Sequence, residues 1–174
     1  MSTKINISRK LESVVPKSVI KKEHLDLLNP FGKWTATLFY VSHKKCILAT
    51  NSTARYTIII DRVKKSDFEN LTGLFIKNLY NQLLTDGIEV KLNEIIKIVG
   101  EVKLFQTDND RGLIGTQNYL LEYLEDWKYE FGHIDNWPFR EINKRINEIP
   151  SKQLGWLFPH EKMKIIIDEI NTNA

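Results

Sequence analysis

Two short polar runs carry the residue types most able to do chemistry. One is TDNDRG, Thr107 to Gly112, inside the longer stretch QTDNDRGLIGT. The other is TNSTAR, Thr50 to Arg55. Each combines threonine, asparagine and arginine at the end of a β-rich segment. The second run in chain order opens a helical pattern. Free N–H groups and the positive dipole end favour an anion at such a start, and Arg111 adds a fork of donors. Asp108 or Asp110 is instead suited to a divalent cation. A plainer reading is that Asp110 or Asn109 only caps the helix, its side-chain oxygen accepting from backbone N–H groups. Asn51, Arg55, Thr107, Asp108, Asn109, Asp110, Arg111 and Gly115 are the candidate ligand-binding residues. No catalytic residue and no metal ligand is assigned.

Other chemistry is poorly supported. The four histidines include no His-x3-His pair, and HEKMK lacks the second histidine of a zinc protease signature. His133 and Asp135 share a loop and offer two ligands at most. Cys46 sits beside Ile47 and Leu48 in a strand pattern, which marks a core residue more than a nucleophile. Neither a Walker A sequence nor Gly-x-Gly-x-x-Gly occurs, so no cofactor is expected. Lys44, Lys45, Arg62, Lys64 and Lys65 near turns, with Tyr40 and Tyr56 in adjoining strands, form a weak nucleic-acid signal. Lysine-rich turns also protect sheet edges from aggregation.

The elements that must position these residues can be read from periodicity. Trp34–Val41, Cys46–Thr50 and Arg55–Ile60 are β-branched and aromatic, and their short connections predict a three-stranded antiparallel meander. Trp34, Ala36, Leu38 and Tyr40 share one face. KINIS and EVKLFQT read as further strands. Ser18 is a candidate cap for a short helix through Leu28. Ser66 and Glu69 read as a capping box for a long helix carrying Phe68, Leu71, Phe75, Leu79 and Leu83. Helices also follow over 90–99, over Leu113 to Phe131, from Pro138 to Ile149, and from Pro159 through Ile170. The fold class is α+β: an antiparallel β-meander sheet with several helices packed against it, in one globular domain over residues 1–174.

Composition sets outer bounds. A chain of 174 residues with 42% hydrophobic and 27% charged residues can bury a core without staples. The one cysteine points to a reducing, cytoplasmic setting. No apolar run reaches a membrane span, and the first residues lack the apolar core of a secretory signal. Net charge is +3. Residues 1–33 hold seven Lys/Arg against three acids, which reads as a solvated surface or as a basic arm.

Three pieces, GKWTATLFYVSHKKCILATN, TDNDRGLIGTQN and INKRINEIPSKQLGWLFPHEKMK, resemble an uncharacterised bacterial domain family. Its members are small stand-alone proteins and proteins associated with plasmids and mobile elements. The likeness runs over roughly residues 30 to 165 and keeps Arg111 and Gly115. It implies membership and no reaction. The function expected is an intracellular binding module, possible mobile-element association being implied by the resemblance, with a protein or nucleic acid as partner and no membrane. One alternative is a small metal-dependent phosphoesterase or nuclease using Asp108, Asp110 and Arg111. Another is an inhibitor or antitoxin-like protein that presents the acidic helix Glu122 to Glu130.

Overall fold

A computed structural model describes residues 1–22 and 29–174. Six strands form one sheet in the order β2-β6-β1-β3-β4-β5. They are β1 (Ser2–Ile7), β2 (Ile20–Lys21), β3 (Trp34–Val41), β4 (Lys44–Asn51), β5 (Thr57–Ile60) and β6 (Glu101–Gln106). The meander β3-β4-β5 is antiparallel as expected. The β3–β4 turn has two residues, Ser42 and His43, both with positive φ. That backbone matches the right-handed twist of the flanking strands.

The other half of the sheet corrects the all-antiparallel expectation. β1 pairs parallel with both β3 and β6, and β2 pairs parallel with β6. Parallel neighbours need long crossovers, so no short turn in the sequence announces them. Gly100 permits the start of this half. Its φ is +59, and a Cβ there would lie 1.9 Å from the Met1 carbonyl oxygen. Of the lysine- and arginine-rich stretch 1–33, residues 2–7 are an inner strand of this sheet, while Arg9, Lys10, Lys17, Lys21 and Lys22 stay exposed. Ser18 lies in a single turn of 3-10 helix, Lys17–Val19, that leads into β2, so the helix expected from it does not start there. The rest of that proposed helix falls on residues 23–28, outside the described residues.

Helices cover both faces. On one face Leu11 of α1 (Arg9–Glu12) packs with Phe75, Leu79 and Leu83 of α2 (Leu71–Thr85). Ile95 and Val99 of α3 (Leu92–Val99) join the same core against Ile5, Ile7, Trp34, Ala36 and Leu38. The opposite face packs Phe39, Leu48 and Ile59 against Leu120 and Leu124 of α4 (Arg111–Phe131) and Ile142 and Ile146 of α5 (Phe139–Asn147). α6 (Pro159–Asn173) returns to the first face through Met163, Ile166 and Ile167. The class is α+β with a mixed sheet. The expected Ser66/Glu69 capping box is replaced by two other caps. The Lys64 N–H donates to Asp67 (2.6 Å), and Asn70 accepts from the Gly73 N–H (3.2 Å) as α2 begins. None of the described helices is long and apolar enough to cross a membrane.

β5 ends the sheet, and α5 supplies what a seventh strand would. The Asn147 amide oxygen accepts from the Thr57 N–H (2.9 Å), and that of Asn143 accepts from the Ile59 N–H (2.8 Å). Both amide nitrogens donate to the Thr57 carbonyl, at 2.7 and 3.0 Å. Two asparagines four apart on one helix face thus close a buried edge. Asn147 also donates to Asp86 (2.9 Å), which accepts from Tyr56 (2.5 Å) and Gln82 (2.9 Å). Burial raises the Asp86 pKa against these three donors. Burial, with Asp86 beside it, pushes the Tyr56 phenol well above its ordinary value.

Cys46 is fully buried, and burial is the main cause that drives its thiol up to about 11. Alkylation by iodoacetamide at pH 8, followed by mass spectrometry, is expected to run about 100-fold or more slower in the native protein than in the unfolded chain. Equal rates would mean that β4 opens readily.

Candidate functional site

The link between β6 and α4 is four residues long, and nearly every polar group in it has a local task. Thr107 Oγ1 accepts from the Asn109 N–H (3.1 Å), and Asp108 Oδ1 from the Asp110 N–H (3.3 Å). Asp110 caps α4 by accepting from the Leu113 N–H (3.1 Å). Asn109 takes a left-handed backbone, φ +55, which asparagine tolerates better than most residues. Lys33 reaches between the two acids, 2.5 Å from Asp108 and 2.9 Å from Asp110. Burial works to lower the Lys33 pKa, but hydrogen bonds to both carboxylates outweigh it and raise the value. The same Lys33 contact, with the Leu113 N–H, lowers the pKa of Asp110.

The second turn meets the first. Asn51 is buried and builds the turn itself. Its Oδ1 accepts from the Thr53 and Ala54 N–H groups, and its Nδ2 donates to the Phe31 carbonyl. Both side-chain polar atoms of Asn51 are thus engaged in building the turn. The Arg55 backbone is left-handed, φ +55, and its side chain points at α4. Nη2 lies 3.5 Å from where a Cβ on Gly112 would stand. Nη1 is enclosed and has no hydrogen-bond partner among the described residues.

Arg55 and Arg111 line one cavity of about 480 Å³, within the range of small-molecule sites. Gly115 opens onto it one turn further along α4, and a Cβ there would meet nothing within 4 Å. Leu120, Ile146 and Ile149 give the cavity an apolar floor. Its remaining wall is the 151–156 loop, with Lys152 and Trp156, a wall the turn motifs did not indicate. Trp156 is 66% exposed with φ +68, a conformation that is rare for a bulky aromatic residue. The loop is held by the Trp156 N–H donating to the Ser151 carbonyl (2.9 Å) and the Ser151 N–H to that of Leu157 (3.1 Å). No local signal in SKQLGW marks this tryptophan as a rim residue; its exposure follows from the folded loop.

Other candidates lie elsewhere. Thr107 and Asn109 face a second crevice of about 430 Å³, shared with Ser8, Arg9, Thr35 and Gln117. The Thr35 hydroxyl there has no partner among the described residues. Asp108 and Asp110 hold an ammonium where the phosphoesterase alternative needs a metal, and Asp110 is engaged as a cap. Among the described residues no cluster of three or more His, Cys, Asp or Glu could hold a metal ion. Asp135 pairs with Arg62 (3.2 Å) and with His133 (3.2 Å). Tyr56 is buried and bonded to Asp86, so it offers no platform to a base.

Comparison with known proteins gives two findings. A family model for a domain of unknown function (DUF6933) matches residues 4–162. The chain is also 26% identical over 162 residues to a transposase for insertion sequence element IS4351 from Bacteroides fragilis, covering 86% of this chain and 49% of that protein. The chain thus spans about half the length of the curated relative it matches.

Proposed function

This chain belongs to the DUF6933 family, a domain of unknown function, and from that premise we propose that it is a cytoplasmic binding module that takes a phosphate-type anion at the start of α4. The observation that carries this reading is the convergence of Arg55 and Arg111 on one cavity whose lining includes no acid. Two guanidinium forks from separate turns suit a tetrahedral anion. The unpartnered Arg55 Nη1 supports it, because a buried donor without an acceptor costs about 1–3 kcal/mol. The two chain turns bring their arginines together through one fold unit, so we read residues 1–174 as one domain. Likeness to an insertion-sequence transposase supports a role with mobile elements. It transfers no transposition chemistry to this chain.

Isothermal titration of pyrophosphate tests the reading. Arg111→Ala is expected to weaken binding at least ten-fold, since a hydrogen bond to a charged group contributes about 1.5–3 kcal/mol. Arg55→Gly removes the second fork and suits the left-handed backbone, so the fold is retained while affinity falls similarly. Gly115→Leu projects a side chain into the cavity and blocks it. It also raises helix stability by roughly 1 kcal/mol through the loss of an interior glycine. Pyrophosphate affinity unchanged in all three variants would overturn the reading.

A further inference from the structure

The anion site has a second half. Tyr119 and Trp156 stand on the same cavity as Arg55, Arg111 and Lys152, and both are largely exposed, 50% and 66%. A bare anion needs neither ring. Exposed aromatics beside an apolar floor offer a planar group a surface to leave water for. The backbone at Trp156 strengthens the point. Gly155 and Trp156 are consecutive left-handed residues, φ +65 and +68. Glycine takes that conformation freely, whereas tryptophan is strained in it. Strain of this kind persists where the surroundings hold it, and it gathers at ligand clamps. Here the constraint is the turn closed by Ser151 and Leu157. It sets the Trp156 backbone at the cavity rim.

We propose that this cavity binds a nucleotide unit, its phosphate held by Arg55 and Arg111 and its base stacked on the Trp156 indole. The proposal rests on the anion-binding reading and adds the base to it. A cavity of about 480 Å³ accommodates one such unit. Lys152 adds a third cation to the cavity lining. The unit can belong to a free mononucleotide or to a single strand, since every base has a π-face and every link a phosphate.

The test titrates the full chain with ribose 5-phosphate, thymidine 5′-monophosphate and decathymidylate, followed by calorimetry and tryptophan fluorescence. Thymidine monophosphate is expected to bind about ten-fold or more tightly than ribose 5-phosphate and to quench fluorescence. Trp156→Gly suits the backbone it replaces, so it is expected to fold at least as well. It should bring the thymidine nucleotide down to the ribose phosphate level and leave ribose phosphate binding unchanged. Trp156→Phe should keep most of the preference and lose the quench. A further tightening with decathymidylate assigns the unit to a strand, and its absence assigns it to a free nucleotide. Equal, arginine-dependent binding of ribose phosphate and thymidine monophosphate would overturn the base site and leave the anion reading standing. No binding by any of the three would remove both.

Discussion

Asn147→Leu is expected to lower unfolding free energy by about 3–5 kcal/mol, read by urea denaturation. Leucine fills a similar volume, so the loss is polar. The Thr57 N–H is left buried without a partner, which alone costs about 1–3 kcal/mol. Asp86 loses one of three donors while remaining buried. The Thr57 carbonyl keeps Asn143, so that end of the edge survives. Acidity gives a second readout. The folded Asp86 pKa is raised above its unfolded value. A raised carboxyl pKa means the folded state binds more protons than the unfolded one. Its contribution is therefore full below the unfolded pKa and is lost as pH rises through the folded one. Removing a donor raises the folded pKa further, so the Asn147→Leu penalty should grow from acidic to neutral pH. A penalty below 1 kcal/mol, flat across that range, would show that α5 does not seal the β5 edge.

The fold was half legible for a physical reason. β3, β4 and β5 are local: alternation and short turns carry their pairing within one stretch of chain. β1 and β6 lie about a hundred residues apart, yet Ile7 pairs with Gln106. Neither segment contains a mark of its partner. KINIS and EVKLFQT were each legible as strands, but not as neighbours. Helix existence was readable from apolar spacing, while the α2 start was not. Asp67 and Asn70 make the caps where Ser66 and Glu69 were expected to, and helix ends are the least sharply defined part of a helix.

The site followed the same division. Asp110 as a cap was legible, because an acid three residues before an apolar run has a local role. Lys33 as the partner of Asp108 and Asp110 was not, because 75 and 77 residues separate them in sequence. Arg55, Arg111 and Gly115 were singled out as residues, and the structure places all three on one cavity. Asn51 drew notice for the same polar character but serves its own turn. Trp156 was missed because nothing in SKQLGW distinguishes a rim aromatic from a core one until the loop is folded.

Trp34 is where fold and site are most tightly joined. It is fully buried, 5.8 Å from the Phe31 ring and edge-on to Phe75 at 5.1 Å. In the sheet it pairs with Ile5 on one side and Asn51 on the other. The residue before it is Lys33, whose ammonium holds Asp108 and Asp110 and whose carbonyl accepts from Ser52. The start of β3 therefore carries both turns that bear the arginines. Trp34→Ala is expected to cost about 3–5 kcal/mol through lost burial and the cavity it leaves. It should weaken pyrophosphate binding as well, because Lys33 and Asn51 lose their common support. Trp34→Phe is expected to cost under about 2 kcal/mol. The smaller ring leaves a partial void, but it also removes an indole N–H that has no partner among the described residues. Thermal unfolding and pyrophosphate titration of the two variants separate these terms. If phenylalanine proved as damaging as alanine, the unpartnered N–H would carry no penalty, and packing of the indole alone would hold the two turns in register.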